Sequence, residues 1–244
     1  MGKSISSGTL KATLAKALHL PERKVDYPYR VVQEHGEVSR GKRGRGGAGQ
    51  TPRDGATAIT AVAMSFIGDE VIKGVRDFSS MPLIHTAHIT HTEAPDGPPG
   101  VLSAPDGWSE ISDGTWQCSG FRLPHLQQLP ERHSFIDALT AVIEAARDNA
   151  FEAAIRGAYP DEDSAYHSIE VVFSGPQPSA SIKIELKTNK RSYCEEAAYF
   201  VEDLIFVEDL TSSAYKASAF EISIKIDFQP IYAIAALFRE GGDD

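Results

Sequence analysis

Apolar positions recur along this chain with two different periods, and each period predicts its own kind of element. Leu10, Leu14 and Leu18 return every four residues while Lys11 and Lys16 fall off that line, which predicts a short amphipathic helix over 9–18. Leu20-Pro21 interrupts the pattern, and a second helix runs to about His35, with Gly36 as its stop signal. Proline sits poorly inside a helix, so Pro28 leaves the start of this helix open; one solution is a start at Tyr27 with Asp26 as N-cap, which puts Pro28 in the first turn. Thr51-Pro52-Arg53-Asp54 is a strong helix start: threonine as N-cap, proline at the first position, an acid at the third. The helix it opens is expected to bury Ala56, Ile59, Ala63, Phe66 and Ile67, and a separate helix with Val71, Val75 and Phe78 follows Gly68. The clearest helical pattern spans 134–158, capped by Ser134 with Asp137 three residues on. Its apolar stripe is Phe135, Leu139, Val142, Ile143, Ala146, Phe151, Ala154 and Ile155.

Strict alternation takes over after residue 165. Residues 168–174 and 180–187, joined by Gly-Pro-Gln-Pro, read as an antiparallel hairpin carrying Ile169, Val171 and Phe173 against Ile182, Ile184 and Leu186. Phe220, Ile222, Ile224, Ile226 and Phe228 alternate as a strand, and 230–239 closes as a short helix. Residues 199–210 are apolar all round, and their pattern leaves helix and strand both open. Seven of the chain's 14 prolines fall in 79–132, with Pro-Asp-Gly at 95–97 and again at 105–107. That stretch reads as a loop-rich connector holding one or two short strands, such as 83–92. The expected architecture is α+β: an N-terminal helix-turn-helix unit, winged or elaborated, over 1–78, the connector over 79–132, and an antiparallel sheet with flanking helices over 133–244.

Charge adds what periodicity cannot. With 41% apolar and 24% charged residues the composition is that of a folded chain. The net charge of −10 is unevenly spread: residues 1–53 carry +7 and residues 54–244 carry −17. Within 39–53 stand Arg40, Lys42, Arg43, Arg45 and Arg53, together with five glycines and no acid. Positive charge gathered at one end of an acidic chain points to a polyanion partner. No apolar run is long enough to span a bilayer, and no apolar stretch follows the first residues as in a signal peptide. Cys118 and Cys194 lie in no Cys-x-x-Cys pair and read as free thiols of a cytoplasmic protein.

Helix 9–18, turn 19–24 and helix 25–35 have helix-turn-helix spacing. Ala15 is the small residue that lets the two helices cross closely; Leu18, Leu20 and Val25 form the buried corner, with Tyr29 and Val32 behind. His19 stands where the motif usually has glycine. Arg23, Lys24, Tyr27, Arg30 and Gln33 are the expected exposed positions, and their chemistry suits base edges and phosphates. The Gly/Arg window falls where a winged protein carries its wing or basic arm, with Arg43 and Arg45 placed for phosphate or minor-groove contact. Residues 44–49 also match G-x-G-x-x-G, but no apolar strand leads into them, and arginine would crowd a dinucleotide pyrophosphate.

The run from Leu18 to Ala63, above all the stretch from Arg40 to Ala56, resembles a group of phage- and prophage-encoded proteins of alphaproteobacteria. These pair a small helix-turn-helix with a Gly/Arg segment and a Thr-Pro-Arg-Asp helix start. The resemblance covers 9–76 strongly and 133–239 weakly. It implies DNA binding in a phage or prophage setting and supplies no catalytic residues.

Enzyme readings find little support. His85, His88 and His91 form His-x-x-His-x-x-His near Glu93 and Asp96, but the flanking threonines favour a strand, on which His88 points away from the other two. The expectation is no metal, no cofactor and no catalytic residue. The chain reads as a double-stranded DNA-binding transcriptional regulator, a homo-oligomer with the dimer favoured, and no membrane protein. A terminase-like DNA-packaging multimer and a host-protein interaction factor are the alternatives.

Overall fold

The computed structural model describes residues 5–39, 49–67, 70–92, 108–112, 115–118, 124–130, 132–158, 165–175, 178–188, 191–200 and 222–240. Its first two helices, α1 (Ser7–Ala17) and α2 (Glu22–Glu34), are joined by a four-residue turn. α1 starts two residues earlier than its leucines predict because Ser6 caps it, accepting the Thr9 N–H at 3.0 Å. α2 corrects the sequence reading more deeply. It starts at Glu22 after Pro21 rather than at Tyr27, and Pro28 lies inside it. The earlier start brings Val25 into line with Pro28, Tyr29 and Val32, and all four are buried. Burial of that stripe offsets the one backbone hydrogen bond Pro28 forgoes. Asp26 caps nothing and pairs instead with Lys11 of α1.

α3 (Pro52–Ile67) is the central helix, and every residue from Asp54 to Met64 is buried. α4 (Val71–Ser80) follows it. Phe66 departs from expectation: it turns outward and is 40% exposed. Gly55 marks a close helix crossing, since a Cβ there would lie 2.8 Å from Ile234 Cγ2. The region read as a connector supplies β1 (Leu83–Thr92), β2 (Trp108–Ser112), β3 (Thr115–Cys118) and the short α5 (Pro124–Gln127). The helix expected over 134–158 is two helices, α6 (Phe135–Arg147) and α7 (Ala150–Ala158). Asn149 breaks it with φ of 54°, in the left-handed region that asparagine tolerates. Arg239 stabilises the break by donating to the carbonyls of Ala146 and Arg147 and to Asn149 Oδ1. The predicted capping box of Ser134 and Asp137 is present.

β4 (Ala165–Gly175), β5 (Ser179–Thr188), β6 (Arg191–Phe200), β7 (Ile222–Ile226) and α8 (Phe228–Glu240) complete the chain. The strands form one antiparallel sheet in the order β2-β3-β1-β6-β5-β4-β7. The hairpin register sets Ile169 opposite Ile184 and Val171 opposite Ile182. Those residues share one face with Phe173, Ala197 and Tyr199, and that face is buried under the helices. Phe135 of α6 sits at its centre, with ring centroids 5.3 Å from Phe173 and 5.4 Å from Tyr199. The fold is therefore α+β, helices on an antiparallel sheet. Leu10, Tyr29 and Met64 belong to the same buried cluster as Phe135, Phe173 and Ile234, and α1 packs directly on α8. Of residues 199–210, whose pattern left helix and strand open, 199 and 200 end β6, and 201–210 lie outside the described residues, as does the Gly/Arg stretch 40–48.

Candidate nucleic-acid interface

α2 is held from behind and left open in front. Val25, Pro28, Tyr29 and Val32 face the core, as does Ala15 where α1 crosses; Leu18 and Leu20 pack at its margin. His19, in the turn, has φ of 53°, the conformation for which glycine is the usual choice. Lys11 ties the two helices further. It pairs with Asp26, whose carboxyl is held below its ordinary range mainly by that hydrogen bond and charge, and its ammonium lies 5.7 Å from the Tyr29 ring centroid.

The front of α2 carries Arg23, Lys24, Tyr27 and Arg30, all exposed, as the sequence predicts; Gln33 is half-buried. Arg23, Tyr27 and Arg30 follow one another at i, i+4 and i+7, so they form a single stripe. Arg30 reaches Glu34 at 3.9 Å, a solvent-exposed pair of little energetic weight. Beside this stripe α2 and α4 enclose an open groove of about 720 Å³. Its walls include Arg23, Lys24, Tyr27, Val31, Glu70 and Ile72. Lys24, on the groove wall, also lies over the ring of Phe66 at 5.8 Å. The exposed Phe66 was missed by the sequence reading because α3 is apolar on all sides, so its pattern marks no solvent face.

Of the basic residues in the Gly/Arg window, Arg40, Lys42, Arg43 and Arg45 lie outside the described residues. Arg53 is described, and it bonds Asp137 at the start of α6 at 2.5 Å. Burial works to raise the Asp137 pKa, but the bonds from Ser134 and Arg53 outweigh it and hold the carboxyl below its ordinary value.

What the structure adds is the neck from which the 40–48 stretch departs and to which it returns. Asp54, only 4% exposed, accepts the Ser39 N–H on Oδ1 at 2.7 Å and the Thr51 N–H on Oδ2 at 2.7 Å. The Thr51 hydroxyl adds a third bond at 2.9 Å. One carboxylate thus bridges both ends. Gln50, also buried, donates to the Ser39 carbonyl at 3.0 Å and accepts the Tyr29 hydroxyl at 2.5 Å. Burial, and secondarily the Asp54 charge, push the Tyr29 phenol well above its ordinary pKa, so it stays a neutral donor. Thr51 and Asp54 were readable as a capping box; the second oxygen's partner, Ser39, was not.

Two other histidines stand in polar clusters among the described residues. His133 is buried, with Nδ1 at 2.8 Å from the Pro130 carbonyl and Nε2 at 3.0 Å from the Tyr199 hydroxyl. The carbonyl requires the proton on Nδ1, so Nε2 accepts from Tyr199. Burial lowers the pKa of His133, and likewise that of His167, which bonds the Tyr232 hydroxyl. In β1 the backbones of His85, His88 and His91 pair with those of Ala198, Glu195 and Ser192. Among the described residues no three His, Cys, Asp or Glu side chains are grouped to hold a metal, and no helix is long and apolar enough to cross a membrane. No protein-family model, no curated protein and no solved structure matches this chain.

Proposed function

We propose that this chain binds double-stranded DNA through the α1–turn–α2 unit and the Gly/Arg stretch, as a transcriptional regulator of phage or prophage origin. The observation that carries the reading is the division of α2. One face buries Val25, Pro28, Tyr29 and Val32, and the other offers Arg23, Tyr27 and Arg30 in a stripe. A rigidly backed helix with guanidinium groups along its open side suits a major groove, where arginine pairs with guanine or phosphate. The neck formed by Ser39, Gln50 and Asp54 bonds to Tyr29 on the back of that helix. The described residues that flank the Gly/Arg stretch, Ser39 and Gln50, are thus joined to the same helix that carries the exposed stripe. The acidic balance of the rest of the chain repels phosphate and directs binding to this end. Two copies on a palindromic site complete the reading.

The test is enrichment of genomic DNA fragments by the full chain at two salt concentrations. It compares wild type with an Arg23→Ala/Arg30→Ala variant and with one in which Arg40, Lys42, Arg43 and Arg45 become alanine. A defined site should be enriched by wild type and lost on the first change. The second should weaken binding to all sequences and flatten the salt dependence by up to about four phosphate contacts. No binding at low salt by wild type refutes the reading. A mass of eight or more copies on DNA favours the packaging multimer over a dimeric regulator.

A further inference from the structure

The groove between α2 and α4 has a composition that recognition of a duplex does not require. Tyr27 is 55% exposed, more than any other large apolar helical residue whose side chain is described. Arg23 and Lys24 precede it by four and three residues, so both cations stand about one turn before the ring on the groove's edge, with the Lys24 ammonium 5.8 Å from the Phe66 ring. Neither cation pairs with an acid among the described residues. The groove's apolar lining is mostly spent on the core: Val71 and Ile72 are each only 7% exposed, and Pro28 is buried. A peptide docks by seating apolar anchors in pockets, and this lining offers such anchors little surface. Its most exposed ring is that of Tyr27, with Arg23 and Lys24 on the same helix and the Glu70 carboxylate at the start of α4. A flat, weakly polar ring on a phosphate backbone matches that arrangement.

We infer that this groove receives an unpaired nucleotide, with its base on the Tyr27 ring and its phosphate between Arg23 and Lys24. The inference rests on the DNA-binding reading and adds a class of ligand to it. In a duplex the base faces are hidden in the stack, so the groove is filled only where a strand end, a gap or an opened pair exposes one. DNA with a single-stranded overhang is then the better ligand, with the overhang in the groove and the adjoining duplex along α2 at Arg30, which does not line the groove.

The experiment measures binding of the full chain to three labelled DNAs of one sequence: blunt duplex, single strand, and duplex with a short overhang. The overhang carries 2-aminopurine. Stacking of one base should make the overhang duplex at least about fivefold tighter than the blunt one, with quenched 2-aminopurine emission. Tyr27→Ala should bring that ratio close to one and restore the emission, while Tyr27→Phe keeps both effects. Tyr27 is exposed, so neither change threatens the fold. Equal affinity for overhang and blunt duplex, or a ratio unmoved by Tyr27→Ala, overturns the inference and leaves the duplex reading standing. Failure to bind any of the three DNAs overturns both. Binding of a peptide of alternating glutamate and leucine, but not of single-stranded DNA, assigns the groove to a protein partner and overturns the inference too.

Discussion

Removing the Asp54 carboxylate should open the neck of the Gly/Arg stretch. In Asp54→Ala the N–H groups of Ser39 and Thr51 each lose a 2.7 Å bond to a charged acceptor, and the Thr51 hydroxyl loses one at 2.9 Å. The hydroxyl can turn to another partner, but the two backbone donors cannot. Each orphaned donor costs about 1–3 kcal/mol, and the charge-assisted character of the bonds puts them in the upper half of that range. Against this stands relief from burying an ionised group that is 4% exposed. The balance is a loss of about 3–4 kcal/mol, or roughly 6–16 °C in Tm for a chain of this size. Asp54→Asn keeps one acceptor oxygen and should lose about half as much. Thermal melts give the magnitude, and amide hydrogen exchange gives the location. Ser39 and Thr51 should be protected in wild type and exchange faster in both variants, with Ser134 at the α6 cap unchanged. A loss under about 1 kcal/mol, or unaltered protection at Ser39, would refute the bridging role.

Three further outcomes follow from the packing. Gly55→Ala would set a methyl 2.8 Å from Ile234 Cγ2 where α3 crosses α8, and should lower Tm by an amount equivalent to about 1–3 kcal/mol in a melt. Arg239→Ala should cost about 1 kcal/mol, since Arg239 donates to two carbonyls at the end of α6 but is itself exposed; an unchanged Tm would deny it a capping role. His133 and His167 both have pKa values lowered by burial from the ordinary 6.5, so the unfolded chain binds the extra protons. Their stabilising contribution is complete above pH 6.5 and declines as pH falls from 6.5 toward their folded values. Tm should therefore fall between pH 7 and pH 5.5, and His133→Gln should fall less steeply than wild type over that interval.

The sequence made the core elements readable wherever a period ran unbroken. The α1 leucines, the Thr51 and Ser134 capping boxes, and the β4–β5 alternation all located their elements within a few residues. Reading failed where one strong local rule met a tertiary gain. Pro28 argues for a helix start, yet the stripe of Val25, Tyr29 and Val32 is worth more than one missing hydrogen bond. The stripe from Phe135 to Ile155 spans a break at Asn149, where Arg239, some ninety residues away, donates to the Ala146 and Arg147 carbonyls and to Asn149 Oδ1. β2 and β3 were hidden by the prolines and glycines around them. At the candidate site, the exposed residues of α2 were readable because amphipathicity marks a solvent face. The groove was not, since its second wall comes from α4, over forty residues further along.

Tyr29 and Tyr27 show why the two halves of this site should not behave independently. They stand two residues apart on α2 and point to opposite sides: Tyr29 is 1% exposed and bonds Gln50 at the neck, while Tyr27 is 55% exposed beside the groove. The neck restrains α2 from behind through Tyr29, and α1 restrains it through Lys11 and Asp26. Restraint reduces the rotational freedom of the stripe on the other side, and an ordered stripe loses less entropy on binding. A loosened neck should therefore weaken contacts made by Arg23 and Arg30, residues it never touches. The same logic separates Tyr29→Phe from Tyr27→Phe. The first removes only the hydroxyl that holds Gln50, and should cost about 1 kcal/mol of stability. The second removes a solvated hydroxyl and should cost no measurable stability. If Tyr29→Phe left both the melt and the DNA affinity unchanged, the neck would be a passive closure and α2 would owe its rigidity to its packing on α1, α3 and α4.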